Sequence, residues 1–215
     1  MRTFRELKLI IIIFLACASS VAISRAQEGE PLPLPDIVET GATASNSGKA
    51  RIHTFLGRSS SLEYQGAVGW WSTESGYELS SVNNSMVVGD FDNDSWIDDI
   101  ATFYDYGDSE SRIHVFLSDG TSFEYQGPSG WWSTPSGYAM SSVQGRMVAG
   151  DFDNDSWIDD IATFYDYGDG ESRIHVFLSD GTSFEYQGSS GWWSTPSGYA
   201  MSSVQGRMVA GDFDS

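Results

Sequence analysis

The 215-residue chain carries 11 Lys plus Arg against 30 Asp plus Glu, a formal net charge of −19 and a pI near 4.1. Nucleic-acid binding needs a basic patch that releases counterions, so this balance excludes it and leaves cations, neutral molecules and basic surfaces as partners. With 40% apolar and 14% aromatic residues the chain can bury a core, which separates it from a solvated acidic tail.

Arg2, Arg5 and Lys8 precede an apolar run from Leu9 to Ala16, and small residues follow up to Ala26. This is the layout of a secretory signal peptide over residues 1–26, and the run is too short to span a bilayer. Ser24 and Ala26 satisfy the small-x-small rule for cleavage after Ala26, as Ala16 and Ala18 do for cleavage after Ala18; we choose Ala26. The Ala16-Cys17 pair resembles the end of a lipid-attachment box, with Phe14 where Leu is usual; the plainer reading makes Cys17 part of the apolar region. Removing residues 1–26 takes away four basic residues and one acidic residue, lowering the charge from −19 to −22, and takes away the single Cys. A secreted chain without disulfides must be held by its core or by metal ions. Residues 27–35, with Pro31, Pro33 and Pro35, read as an extended linker.

The remainder is one unit written repeatedly at an offset of 61 residues, the distance from Gly89 to Gly150. Residues 89–149 and 150–210 are full copies that differ only at Ser109/Gly170 and Pro128/Ser189, and residues 211–215 open another. Residues 36–88 form a partial, diverged copy. A period of this length signals a solenoid, propeller or array.

Within a unit the apolar pattern is that of strands. Met147–Ala149, Ile161–Tyr165, Arg173–Leu178 and Thr182–Tyr186 are short and rich in β-branched and aromatic residues. Asp180-Gly181 between the last two is a hairpin signal, because both residues tolerate positive φ. The expected fold class is therefore all-β, a β-propeller-type repeat of four-stranded antiparallel blades, with about three blades here. Closed propellers carry about 4 to 8 blades, so the reading favours a piece of a longer array, the alternative being closure with other copies.

The loop Asp90-Phe-Asp-Asn-Asp-Ser-Trp-Ile-Asp-Asp99 places carboxylates at its positions 1, 3, 5 and 9. Alternate acids on a tight loop converge on a hard cation; calcium accepts six to eight oxygens at loose geometry. Zinc is disfavoured because the loop offers no imidazole or thiolate, and magnesium because it resists dehydration. The candidate ligands are Asp90, Asp92, Asp94, the Trp96 carbonyl and Asp98, and in the next copy Asp151, Asp153, Asp155, the Trp157 carbonyl and Asp159. Asp99 competes with Asp98 for the last position, and spacing favours Asp98. The diverged first copy has no such cluster.

GDFDNDSWIDDIATF resembles the calcium loop of FG-GAP/VCBS repeats, the blades of propellers found in integrin α-subunit heads and in many secreted bacterial proteins. The resemblance covers most of the chain beyond the leader, and it implies calcium at the aspartates named above. Two positions depart from that pattern: Asn93 and Ser95, with Asn154 and Ser156, stand where the family has Gly. Asn tolerates left-handed backbone better than Ser, so Ser95 and Ser156 are where the loop would be weakened.

His53, His114 and His175 fall at one position of successive copies, too far apart to share an ion, and are expected to be structural. Trp131, Trp132 and Tyr138, repeated as Trp192, Trp193 and Tyr199, either stack on sugar rings or pack between sheets. Asn83-Asn84-Ser85 matches a glycosylation acceptor, relevant in a eukaryotic host. No nucleophile elbow, HExxH or phosphate-cradling loop is present, and copied sites favour avidity over catalysis. The sequence thus points to a secreted calcium-binding module for protein or glycan ligands, with a lectin, or an accessory region of a larger secreted enzyme, as the alternatives.

Overall fold

The computed structural model describes residues 20–23, 36–41, 50–58, 61–82, 85–143, 145–199, 208–211 and 213, with side chains from residue 50 onward. The expected leader and linker lie outside these residues, apart from Ser20–Ile23.

The chain folds into three antiparallel sheets in chain order, none closed into a barrel. The first contains β1 (Ser20–Ile23), β2 (Asp36–Gly41), β3 (Ala50–Arg58), β4 (Ser61–Tyr64) and β5 (Trp71–Thr73). The second contains β6 (Met86–Gly89), β7 (Asp99–Gly107), β8 (Glu110–Ser118), β9 (Phe123–Tyr125) and β10 (Trp132–Thr134). The third contains β11 (Met147–Gly150), β12 (Asp160–Gly168), β13 (Glu171–Ser179), β14 (Phe184–Tyr186) and β15 (Trp193–Thr195). A 3-10 turn at Leu79–Ser81 and a one-turn helix α1 (Met140–Val143) bridge successive sheets.

Each copy yields one more strand than the apolar pattern announces. The third strand of every sheet pairs along one edge with two short strands, β9 and β10 sharing β8 and β14 and β15 sharing β13. The additional strand is the Trp-Ser-Thr segment. Gly130 (φ +68°) turns the chain so that the Trp131 N–H donates to the Ile113 carbonyl at 2.8 Å, and a Cβ at Gly130 would meet that carbonyl at 2.6 Å. The long hairpins turn at Asp108-Ser109 (φ +51° and +64°) and Asp169-Gly170 (φ +53° and +81°). Two-residue loops of this kind match the strand twist only when both central residues are left-handed.

The core lies between sheets. Trp132 packs edge-on to Phe177 with ring centroids 4.9 Å apart and to Tyr186 at 5.9 Å, while Tyr138 meets Tyr165 at 4.8 Å. The Tyr138 hydroxyl bonds Thr163 Oγ1 at 2.6 Å, and the Ala139 N–H donates to the Tyr165 hydroxyl at 3.0 Å. The first two sheets repeat the arrangement: Trp71 meets Phe116 at 4.9 Å, Tyr77 meets Tyr104 at 4.8 Å, and the Tyr77 hydroxyl bonds Thr102 Oγ1 at 2.9 Å. On the far side of the third sheet, Trp193 keeps the same edge contact to Tyr199 at 5.4 Å, but the two residues are 41% and 47% exposed.

This asymmetry makes a paired test. Tyr138→Phe strands the buried Thr163 hydroxyl and lowers unfolding free energy by about 1–3 kcal/mol. The same change at Tyr199, which is open to solvent, stays within about 0.5 kcal/mol. Urea unfolding of the two variants checks both.

Candidate metal centre

β6 and β11, the first strands of the second and third sheets, lie side by side, and each leads into an acidic loop that returns along the following strand. In the first loop Asp90, Asp92 and Asp99 each bring one carboxylate oxygen within 4.8 Å of the others; in the second, Asp151, Asp153 and Asp160 do the same. Backbone strain supports the turn. Asn93 and Ser95 take φ +60° and +78°, and Asn154 and Ser156 take +66° and +85°. The two positions where the sequence departs from glycine are therefore left-handed in both copies.

Asp99 ties the loop to the sheet. Its Oδ2 accepts the Phe91 N–H at 2.8 Å and the Asp92 N–H at 3.2 Å, and its Oδ1 accepts the Ser118 N–H at 2.7 Å. Asp160 holds Phe152, Asp153 and Ser179 in the same way. Of the residues expected from spacing, Asp90, Asp92, Asp151 and Asp153 are brought together. Asp94, Asp98, Asp155 and Asp159 fall outside the clusters, and Asp99 and Asp160 take the closing position. Asp94 instead shapes the turn, its Oδ1 accepting the Trp96 N–H at 2.8 Å, as Asp155 does for Trp157. The register of β7 on β8 sets Asp99 beside the end of β8, and position along the loop carries no trace of that pairing.

In the first loop all three carboxylates, and in the second Asp160, are held against their ionised state. Burial pushes Asp99 up to about 8, and burial together with the Asp94 carboxylate pushes Asp90 up to about 6. Asp92 and Asp160 are raised for the same leading reason, burial. Asp90 Oδ1 is buried with no hydrogen-bond partner. A cation would supply the missing counter-charge, and an all-oxygen set on a tight loop suits a hard one. The two sets that could hold a metal ion are Asp90, Asp92 and Asp99, and Asp151, Asp153 and Asp160.

The remaining candidates are placed as follows. His114 and His175 are buried, each ring between two tyrosine hydroxyls: Tyr106 at 3.2 Å and Tyr125 at 3.3 Å for His114, and Tyr167 at 3.2 Å and Tyr138 at 3.3 Å for His175. Burial lowers both to about 4, which keeps them neutral packing elements. His53 bonds the Tyr64 hydroxyl at 3.0 Å. Trp131, Trp132 and Tyr138 sit between the second and third sheets, whereas Trp192, Trp193 and Tyr199 stand exposed on the third. Among the described residues no helix is long and apolar enough to cross a membrane. Comparison with protein-family models, with curated proteins and with solved structures gave no match.

Two outcomes follow for the cation-free protein. A left-handed L-residue costs about 1–2 kcal/mol, so Ser95→Gly, after the added freedom of the unfolded chain, stabilises by about 1 kcal/mol in denaturant unfolding. Carboxyls raised in the fold contribute stability below their ordinary range near 4, and it is lost as pH rises through about 6 for Asp90 and 8 for Asp99. Chelator-treated protein therefore melts at a lower temperature at pH 8 than at pH 5, and added calcium closes that gap. A cation-free melting temperature that rose over this range would contradict the burial account.

Proposed function

We propose that this chain is a secreted, calcium-stabilised repeat module of the FG-GAP/VCBS propeller type that binds protein or glycan ligands outside the cell and carries no catalysis of its own. The observation that carries the reading is the pair of aspartate triads, copied in register, with the buried Asp90 Oδ1 left without a protein partner. Calcium joins the strand that enters each loop to the strand that leaves it, doing the work of the absent disulfides. Three successive sheets, with first strands adjacent and aromatic residues between them, suit blades arranged about an axis. Near-identical copies suit a ligand gripped at several places, where avidity multiplies weak contacts.

The lectin reading needs Trp faces open to a sugar. Trp132 is occupied by Phe103, Tyr138, Phe177 and Tyr186, which speaks against a site between the second and third sheets. Trp192 and Trp193, 52% and 41% exposed, keep it alive at the third.

Calorimetric titration of calcium into chelator-treated protein tests the proposal. Two sites per chain are expected, one lost with Asp92→Ala and the other with Asp153→Ala, with calcium raising the melting temperature of the parent. A chain that is folded by circular dichroism yet takes up no calcium would overturn it.

A further inference from the structure

The two acidic loops are identical in sequence from Asp90 to Asp99 and from Asp151 to Asp160, yet they are not identical in structure. Asp90 is 3% exposed, whereas Asp151 is exposed; Phe91 is fully buried, whereas Phe152 is half-buried. In the second loop both oxygens of Asp151 are taken up internally, Oδ1 by the Asp155 N–H and Oδ2 by the Ser156 N–H, each at 3.0 Å. In the first loop Asp90 Oδ2 accepts the Ser95 N–H at 3.0 Å, and Oδ1 is left without a partner. The first loop owes its burial to what lies beside it.

Beside the first loop lies the second. The Asp90 N–H donates to the Ile158 carbonyl at 2.9 Å, an approach so close that a Cβ on Gly89 would sit 2.6 Å from that oxygen. The Asn93 amide, with its nitrogen toward the neighbouring loop, donates to the Asp90 carbonyl at 3.1 Å and to Asp159 Oδ2 at 3.0 Å. Asp159 is 1% exposed and its other oxygen has no hydrogen-bond partner, while its counterpart Asp98 is only half-buried.

We propose that Ile158 and Asp159 of the second loop complete the first cation site from outside, so that the first site is coupled to the repeat that follows it. Asp159 is a positioning residue for the first site: it holds Asn93, Asn93 holds the Asp90 backbone, and Asp90 Oδ1 is thereby kept turned toward Asp92 and Asp99. Part of the first site's affinity therefore belongs to the next repeat. This inference rests on the cation reading above.

The test is calcium titration of the full-length chain with one site silenced at a time. With Asp153→Ala silencing the second site, the affinity of the first is read alone. In the Asp153→Ala background, adding Asp159→Ala or Asn93→Ala weakens the first site about tenfold, while Asp159→Asn, which still offers Asn93 an acceptor, restores it to within about threefold. Adding Asp98→Ala to the Asp92→Ala background leaves the second site unchanged. Melting of each cation-free variant with its parent separates lost positioning from lost fold. First-site affinity unmoved by both Asp159→Ala and Asn93→Ala would overturn the coupling. So would Asp159→Ala weakening only the second site, which would make Asp159 a ligand of its own loop. Absence of calcium binding by every folded variant would instead overturn the underlying cation reading.

Discussion

Three carboxylates crowded at the entrance of a strand set the terms for each acidic loop, and in the first loop desolvation makes them resist ionisation. Asp90, Asp92 and Asp99 repel one another, and their desolvation is the leading reason that each is raised. The salt bridges Arg112–Glu110 and Arg173–Glu171 neutralise charge at the start of β8 and β13, at the opposite end of those strands from the Ser118 and Ser179 amides that hold Asp99 and Asp160. Backbone N–H groups answer part of the demand, and a bound cation would answer the rest. The left-handed Asn93 and Ser95 place backbone strain at the turn of this loop.

Around this element the sheets are joined by aromatic residues rather than by cross-links. Each Trp-Ser-Thr strand sends a tryptophan against the Phe and Tyr of the following sheet, and a buried tyrosine hydroxyl fixes the register by bonding a threonine one sheet on. Rings bury large areas in a thin layer, and their edge contacts have preferred geometry. One sheet thus instructs the position of the next. The loops obey the same logic at the other end of the interface, where Asp90 leans on Ile158.

Much of this is legible in the residues. The 61-residue repeat, the β-branched and aromatic runs and Asp180-Gly181 announce antiparallel strands, and alternate aspartates announce a cluster of carboxylates on one loop. Three features are not legible, for one shared reason. Asp99 joins the Asp90 and Asp92 cluster because β7 pairs with β8; the Trp-Ser-Thr segment becomes a strand because β8 offers it an edge; and Asp90 is buried because the second loop lies against the first. Each depends on what the fold brings beside a residue, and local pattern cannot carry that. Ser95 shows the converse. The resemblance to FG-GAP/VCBS loops, which have Gly there, predicts strain at this position, and the backbone there is left-handed.

The central claim is that the two aspartate triads are cation sites. Anomalous scattering from crystals grown with a lanthanide in place of calcium addresses it most directly. The account predicts peaks bounded by Asp90, Asp92 and Asp99 and by Asp151, Asp153 and Asp160. Ordered loops without a peak, or peaks held by Asp94 and Asp98 away from Asp99, would contradict it.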